Sequence, residues 1–503
     1  VGQSNIVSGF VFEDTNNDGI MNEAEVGIMG VAVSNGRDVV VTSEIGEYFL
    51  PIETEDIVFV IKPEGYMPPL SKDNILQNYR IQRPEGSPNF YFKTVAPTEL
   101  QSPINFPLHK HAEDEQLNIA FLGDTQTRVI DDVYYVSKVV GDRLVYEDID
   151  MVIPLGDLVY DNLRLFDPLK QTLGKIGVPV YYIYGNHDRN LDAVELEHRD
   201  ESFEYHFGPS YYAFEYPGHS FIALNDVFPL PERKYIAKND DDQLKFVENY
   251  LKTVSPETQI HLLMHIPLEQ VKNLPAFSSL FVNHPNVSSY AGHTHVQFFK
   301  TIGEEQGWVS NEPIEELVAG AVCGSWWRGE KDEYGVPNSL MHDGTPKGYW
   351  IMQTNVEKKT FTYRVSEPPN RQMHIWVPMR FQRERIQHFQ DSIIVNVFAG
   401  DENTTVKARI NDGEWESMSY APGTDPYFAR LKTLEHMQIY PTANSTTIGG
   451  PRLSTHLWVM PMPNNLGVGV HTVEIEVMNE RGLHEKSTAL ILQFALEDVR
   501  SSY

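Results

Sequence analysis

Gly185-Asn186-His187-Asp188 stands at the end of the apolar run Val178 to Tyr184, and its reading decides the fold. Four other short segments stand in the same relation to an apolar run. Gly123-Asp124-Thr125-Gln126 follows Leu117 to Leu122, Gly156-Asp157 follows Met151 to Leu155, His265 follows Ile260 to Met264, and Gly292-His293-Thr294-His295 follows Val287 to Ala291. Short apolar runs that end in Gly and polar residues read as buried strands entering loops. Between them lie stretches with helical spacing of apolar residues, Val129 to Val145, Leu163 to Ile176 and Asp241 to Val254, so strand and helix alternate as in βαβ units. Neighbouring strands of such a sheet aim their loops into one crevice. The five segments are therefore expected to meet in a pocket rich in oxygen and imidazole.

On either side of this region the pattern changes to short strands. Residues 1–95 read as a small β-sandwich, with strand candidates at Gly9 to Phe12, Val31 to Val33, Asp38 to Thr42, Tyr48 to Leu50 and Ile57 to Ile61. Residues 96–116 are polar and contain Pro, and read as a linker. The central region is expected to run over 117–366, with later strands at Ile314 to Val322, Gly348 to Thr354 and Thr360 to Val365. After the turn Glu367-Pro368-Pro369-Asn370, residues 371–503 read as a second β-sandwich, with strands at Ser392 to Ala399, Val406 to Ile410, His456 to Met460, His471 to Met478 and Ala489 to Phe494.

In the first sandwich, Asp14, Asn16, Asp18, Gly19 and Glu25 fit the D-x-N-x-D-G-x5-E pattern of a calcium loop. Oxygens of Asp14, Asn16, Asp18, Asn22 and Glu25 and the Ile20 carbonyl are the expected ligands. The flanks alternate like strands, so this is not an EF-hand; an Asx-rich hairpin without an ion is the alternative. Residues 6–62 resemble the calcium-binding B-type repeats of bacterial surface proteins, a transthyretin-like sandwich.

The central constellation suits two divalent ions about 3.5 to 4 Å apart, which need a bridging carboxylate and terminal oxygen and imidazole ligands. Asp157, directly after Gly156, is the natural bridge. Asp124, Gln126 and His295 can complete one ion, and Asn186, His265 and His293 the other; His293 and His295, two apart, project the same way from an extended segment. A single histidine such as His265 reads as a core residue, and the four companion segments turn it into a ligand. His187 is left to protonate a departing alkoxide, with Asp188 to orient it or hold its charge. Asp161 and Asn162, four and five past the bridge, could reach the site, but turn capping explains them equally well and they are left out. Arg128 and Arg189, just past two of the motifs, are candidate phosphate contacts. Trp326-Trp327-Arg328 could cover the pocket, with Trp326 and Arg328 clamping a phosphate or ring; packing between domains is the alternative.

From 116 to 300 the chain resembles the calcineurin-like metallophosphoesterase superfamily, whose motifs run D-x-H, G-D, G-N-H-D, H and G-H-x-H in this order. The resemblance implies an α/β fold, here a central double β-sandwich flanked by helices with all-β sandwiches at both ends. It implies a dinuclear centre of Mn, Fe, Zn or Mg on Asp124, Asp157, Asn186, His265, His293 and His295, with His187 as the catalytic histidine. Gln126 departs from the pattern, where histidine is commonest. A neutral carboxamide oxygen binds more weakly than imidazole and tilts the first site toward Mn or Mg. Superfamily branches with Asp-x-Gln exist, and the flanking β regions resemble those of secreted bacterial members.

Whole-chain properties set the remaining expectations. At 503 residues, roughly two to four domains are expected. The balance of 40 basic against 70 acidic side chains, a net charge of -30, opposes nucleic acid and anionic membranes, which counts against a nuclease. A single cysteine, Cys323, excludes an internal disulfide framework. No apolar run reaches the roughly 18 to 20 residues of a membrane span. The start at Val1-Gly2-Gln3-Ser4 reads as a processed terminus, so a secreted, periplasmic or cell-surface location is expected. Two functions from different classes remain: a metallophosphoesterase acting on a small or surface-linked phosphoester, and a catalytically weak surface or glycan-binding protein with a vestigial metal site. The retention of Asp157 and His187 favours the first.

Overall fold

The computed structural model describes residues 5–310, 312–366, 371–378, 389, 391–437 and 447–493. The expected turn at 367–370, the first four residues and Phe494 lie outside the described residues. The chain divides into two compact units. One comprises residues 1–294, 300–319 and 353–358, and the other residues 295–299, 320–352 and 359–503.

The first unit begins with two four-stranded sheets. One runs in the order Glu47–Ile52, Asn5–Glu13, Phe106–Lys110, Tyr66–Met67; the other in the order Val39–Val41, Ala32–Ser34, Ile57–Val60, Tyr79–Ile81. Alternate residues of the strands turn inward, so Val7, Val11, Val33, Leu50, Val58 and Phe106 meet in one core. Phe106–Lys110 lies inside the segment expected as a linker. Pro107 obscured a period-two pattern in which Ile104, Phe106 and Leu108 are buried, and this strand pairs in parallel with Val11 to Glu13.

A bridge from Lys62 to Phe214 ties these sheets to the elements that follow. Lys62, fully buried, donates to Glu113 Oε1 at 2.6 Å and to the Glu215 carbonyl at 2.7 Å. A buried ion pair of this kind is destabilising when one partner is removed, by about 3 to 5 kcal/mol, because the other charge is stranded.

The central sheet of the first unit includes the strands Tyr212–Tyr216, His219–Ala223, Gln259–Leu263, Val287–Ala291 and Ile314–Ala319 in that order. All pairings after the first, antiparallel one are parallel. Leu117–Leu122 and Met151–Pro154 form a second parallel pair. The expected strand at 178–184 is an extended segment beside Met151–Pro154, joined through Tyr181 N to Val152 O, Val152 N to Pro179 O and Ile183 N to Pro154 O. Of the expected helices, Asp241–Leu251 is regular and begins at an Asp240 cap that accepts from Gln243 N. The 129–145 stretch is broken by a π-helical turn at Ser137–Gly141 between Ile130–Val136 and Asp142–Leu144.

The second unit contains two further four-stranded sheets, built from strands between Met373 and Gln493. It also holds a helix, Pro426–His436, in the region expected to be all-β. Asp425 accepts from Phe428 N and Pro426 occupies the first turn, a start signal present in the sequence.

Candidate metal centre

Five motif-bearing loops leave the ends of extended segments in the first unit. Parallel pairing makes their strands end on the same side, and the register of 259–263 with 219–223 and 287–291 keeps those ends level. The glycines before the polar residues permit the close approach. A Cβ on Gly185 would lie 1.9 Å from Asp157 N, and one on Gly156 would lie 2.6 Å from His265 Nδ1. Gln126, Asp157 and His293 have φ of 39°, 47° and 71°. Left-handed conformations at non-glycine residues cost about 1 to 3 kcal/mol each and gather at functional sites.

Asp157 is the hub. Its Oδ1 accepts from His187 N at 2.8 Å and lies 3.3 Å from His265 Nε2. Its Oδ2 accepts from Gln126 Nε2 at 2.8 Å; a half-turn of that carboxamide would place the oxygen there instead. His265 Nδ1 donates to the Leu155 carbonyl at 2.8 Å, so Nε2 carries the lone pair that a metal requires. That Nε2 lies 3.1 Å from Asn186 Oδ1 and 3.2 Å from His293 Nδ1. Asp124 joins through Oδ1, which accepts from His293 N at 2.7 Å. Ligand atoms of Asp157, His265 and His293 all lie within 4.8 Å of one another. Two imidazole nitrogens and a carboxylate at these separations are a donor set that fits a divalent cation.

The electrostatics agree. Burial pushes Asp157 up, but His265, His187 and His293 outweigh it and hold the carboxyl below its ordinary range. Burial pushes His265 down, and the charges of Asp157, Asp124 and Asp226 overcome it. A field that favours a proton between these groups favours a metal cation more strongly.

The structure corrects two sequence expectations here. Asp188 does not orient His187. Its buried carboxylate accepts from Gly185 N, Leu158 N and Val159 N, tying the two central loops together, and burial and the Asp157 charge push it up to about 8. The residue at His187 Nδ1 is Asp161, at 2.8 Å, which the turn reading had set aside. Tyr160 stacks on the same ring at 4.3 Å. Burial lowers the His187 pKa, but the Asp161 hydrogen bond and the charges of Asp157, Asp161 and Asp188 leave it raised, so Asp188 acts on His187 through its charge and not by orienting it. Arg189 is not available to a substrate: its guanidinium donates to the carbonyls of Asn186, Lys234 and Arg233 and lies over the Tyr235 ring. The Arg128 Nε lies 3.4 Å from Asp132.

His295, Trp326 and Arg328 fall in the second unit. There His295 Nδ1 donates to the Gly324 carbonyl, its ring lies 5.1 Å from that of Trp326, and the Arg328 guanidinium sits 4.9 Å from the Trp326 ring centre. Trp326 is held at φ 64°. The expected ligand role of His295 rests on the sequence.

In the 14–25 loop the expected calcium ligands bind the loop's own backbone. Asp14 accepts from Asn17 N and Gly19 N, Asn16 from Asp18 N, Asp18 from Ile20 N, Asn22 from Ala24 N, and Glu25 from Thr15 N and Asn22 N. Among the described residues, one other group of potential ligands escaped the sequence reading: Glu55, His198 and Glu201. Arg83 enters it, with Nε 3.0 Å from Glu55 and 3.5 Å from Glu201, and Nη2 2.6 Å from Glu204.

A purple acid phosphatase isolated from yellow lupin (Lupinus luteus) seeds is similar at 14% identity and a TM-score of 0.36, over 72% of this chain. The chain spans 66% of the length of that structure. No curated protein matches. Three family profiles match in sequence order: the N terminal of calcineurin-like phosphoesterase over residues 15–98, calcineurin-like phosphoesterase over 117–297, and the C terminal of calcineurin-like phosphoesterase over 316–484. The catalytic profile takes in every loop that converges on Asp157, and the chain belongs to the calcineurin-like phosphoesterase family.

Proposed function

We propose that this chain hydrolyses a small phosphomonoester or phosphodiester at a dinuclear divalent-metal centre, with His187 as the general acid. The observation that carries this reading is the position of Asp157, whose two oxygens face His265 on one side and Gln126 on the other. Bound ions would supply charge neutralisation for the phosphoryl group and an activated water. Asp124, Gln126, Asp157, Asn186, His265 and His293 are the residues of the first unit that would hold them.

The remaining work falls to the protein. Water adds to phosphorus as the bond to the leaving oxygen breaks, and that oxygen must gain a proton. His187 is placed to give it. With Nδ1–H donating to Asp161, the proton for transfer sits on Nε2, and the Tyr160 stack and the backbone bond to Asp157 fix the ring and its loop. Release of p-nitrophenol from p-nitrophenyl phosphate or its bis ester, dependent on added Mn, Mg, Zn, Co or Fe, is the expected result. If both esters stay intact with every metal, the reading fails. The 14–25 loop is proposed separately as a calcium site on the spacing of its oxygens, and an unchanged melting temperature with millimolar-range calcium would remove it.

A further inference from the structure

The segment after the Asn186 motif folds back on itself. Asn190 N and the Tyr184 hydroxyl both donate to the Arg199 carbonyl, at 2.7 and 3.0 Å. This places the Arg199 side chain in the wall of a cavity of about 300 Å³, together with Tyr184, Phe228 and Lys238. Asp124, Asp157, His265 and His293 do not line it.

Arg199 is 7% exposed, yet its guanidinium has no carboxylate partner among the described residues. Its one side-chain hydrogen bond runs from Nη1 to the Asn190 carbonyl at 3.4 Å, and Nε has none. Arg37 and Arg83 in the same unit are paired with Asp56 and Glu204 at 2.8 and 2.6 Å. A buried cation without a counter-charge is costly. Burial, and then the nearby charge of Arg189, lower the Arg199 pKa; Arg233 adds to this, and Tyr184 and Asp192 oppose it without reversing it. Lys238 lies 4.4 Å from the Phe228 ring centre and likewise has no ion pair among the described residues.

The acids in this wall are already engaged or turned outward. Asp200 accepts from Ser210 Oγ, Asp240 caps the helix at Gln243, and the Glu197 side chain is 80% exposed. Hydrogen-bonded or outward-turned acids and two cations without ion pairs among the described residues therefore face one cavity, in a chain whose net charge is -30. We propose that this cavity is an anion-binding site, separate from the metal centre, in which Arg199 and Lys238 hold the phosphate or carboxylate of a small molecule. The rings of Tyr184 and Phe228 give its apolar part a surface.

Calorimetric titration of the metal-loaded protein with inorganic phosphate, and separately with succinate, tests this. At least one of the two should bind with an affinity that falls about tenfold or more in Arg199→Gln, and less in Lys238→Met, since a charge-assisted hydrogen bond is lost. The same binding should persist in Asp157→Asn, where binding at the metal centre is removed. Phosphate alone would assign a phosphate-class ligand, and both would assign a general oxyanion. The proposal is overturned if neither binds outside the metal centre, or if a folded Arg199→Gln binds as wild type does. Should Arg199→Gln fail to fold, an unaltered affinity in both Arg199→Lys and Lys238→Met overturns it equally.

Discussion

Two clusters in the first unit use the same vocabulary of carboxylate and imidazole and mean different things. At Asp157, His265 and His293 the negative charge faces imidazole nitrogens, and the Arg189 guanidinium is bound to backbone carbonyls. At Glu55, His198 and Glu201 the Arg83 guanidinium stands among the ligand atoms and offsets part of their charge. Residue type and proximity thus do not by themselves define a metal site; a cation already seated among the ligands weighs against one.

The largest effect should come from Asp157→Asn. Removing the hub should lower bound metal and reduce turnover by about 10³-fold or more, because electrostatic stabilisation leaves with the ions. Glu201→Gln, its counterpart in the other cluster, should leave metal stoichiometry unchanged. Elemental analysis showing equal metal loss in the two would erase the contrast. His187→Ala comes next, with metal retained and turnover reduced by about 10²-fold. Asp161→Asn should cost about tenfold, the worth of one hydrogen bond near 1.4 kcal/mol. An Asp188→Asn variant that loses activity while keeping its melting temperature, beside a silent Asp161→Asn, would restore the role first given to Asp188.

That exchange of roles shows what a sequence can carry. The G-N-H-D and G-D motifs locate the loops because their glycines are demanded by contacts closer than 3 Å between them. Which of two nearby aspartates turns toward His187 depends on backbone direction: Asp188 points back at the N–H groups of the loop beside it, and Asp161, four residues past the hub, faces the ring. Spacing alone does not encode that. The strand at 106–110 was hidden because Pro107 resembles a linker residue, although its neighbours alternate. The helix at 426–436 was legible in Asp425-Pro426 and overlooked within a region of strands. The contacts of Arg83 with Glu201 and Glu204 join residues more than 100 positions apart, and no local pattern announces them.

Arg83→Met would turn the second cluster into a sharper test. Loss of the guanidinium strands buried carboxylates and should destabilise the protein by about 3 kcal/mol. If uncompensated charge is what distinguishes the clusters, Mn or Zn should raise the melting temperature of this variant more than that of wild type. An identical metal response in both proteins would show that the Arg83 charge is not what separates the two clusters.

A third buried acid completes the series, with neither a metal-type cluster nor an arginine beside it. Glu316 lies on the 314–319 strand, where Oε1 accepts from Leu268 N and Ser289 Oγ and Oε2 has no partner. Burial pushes its pKa from 4.5 up to about 7, with the two hydrogen bonds opposing. The folded protein therefore holds this proton more tightly than the unfolded chain. Its contribution to stability is complete below pH 4.5 and declines as pH rises toward 7, above which the ionised carboxylate weakens the fold. Between pH 5 and 8 the loss should be about 2 kcal/mol, each pKa unit being worth about 1.4 kcal/mol. Glu316→Gln, which keeps the acceptor and cannot ionise, should lack that component in urea unfolding at the two pH values. Equal losses in wild type and variant would mean that the unpartnered oxygen is hydrated, and that burial without compensation is not what distinguishes this acid from the other two sites.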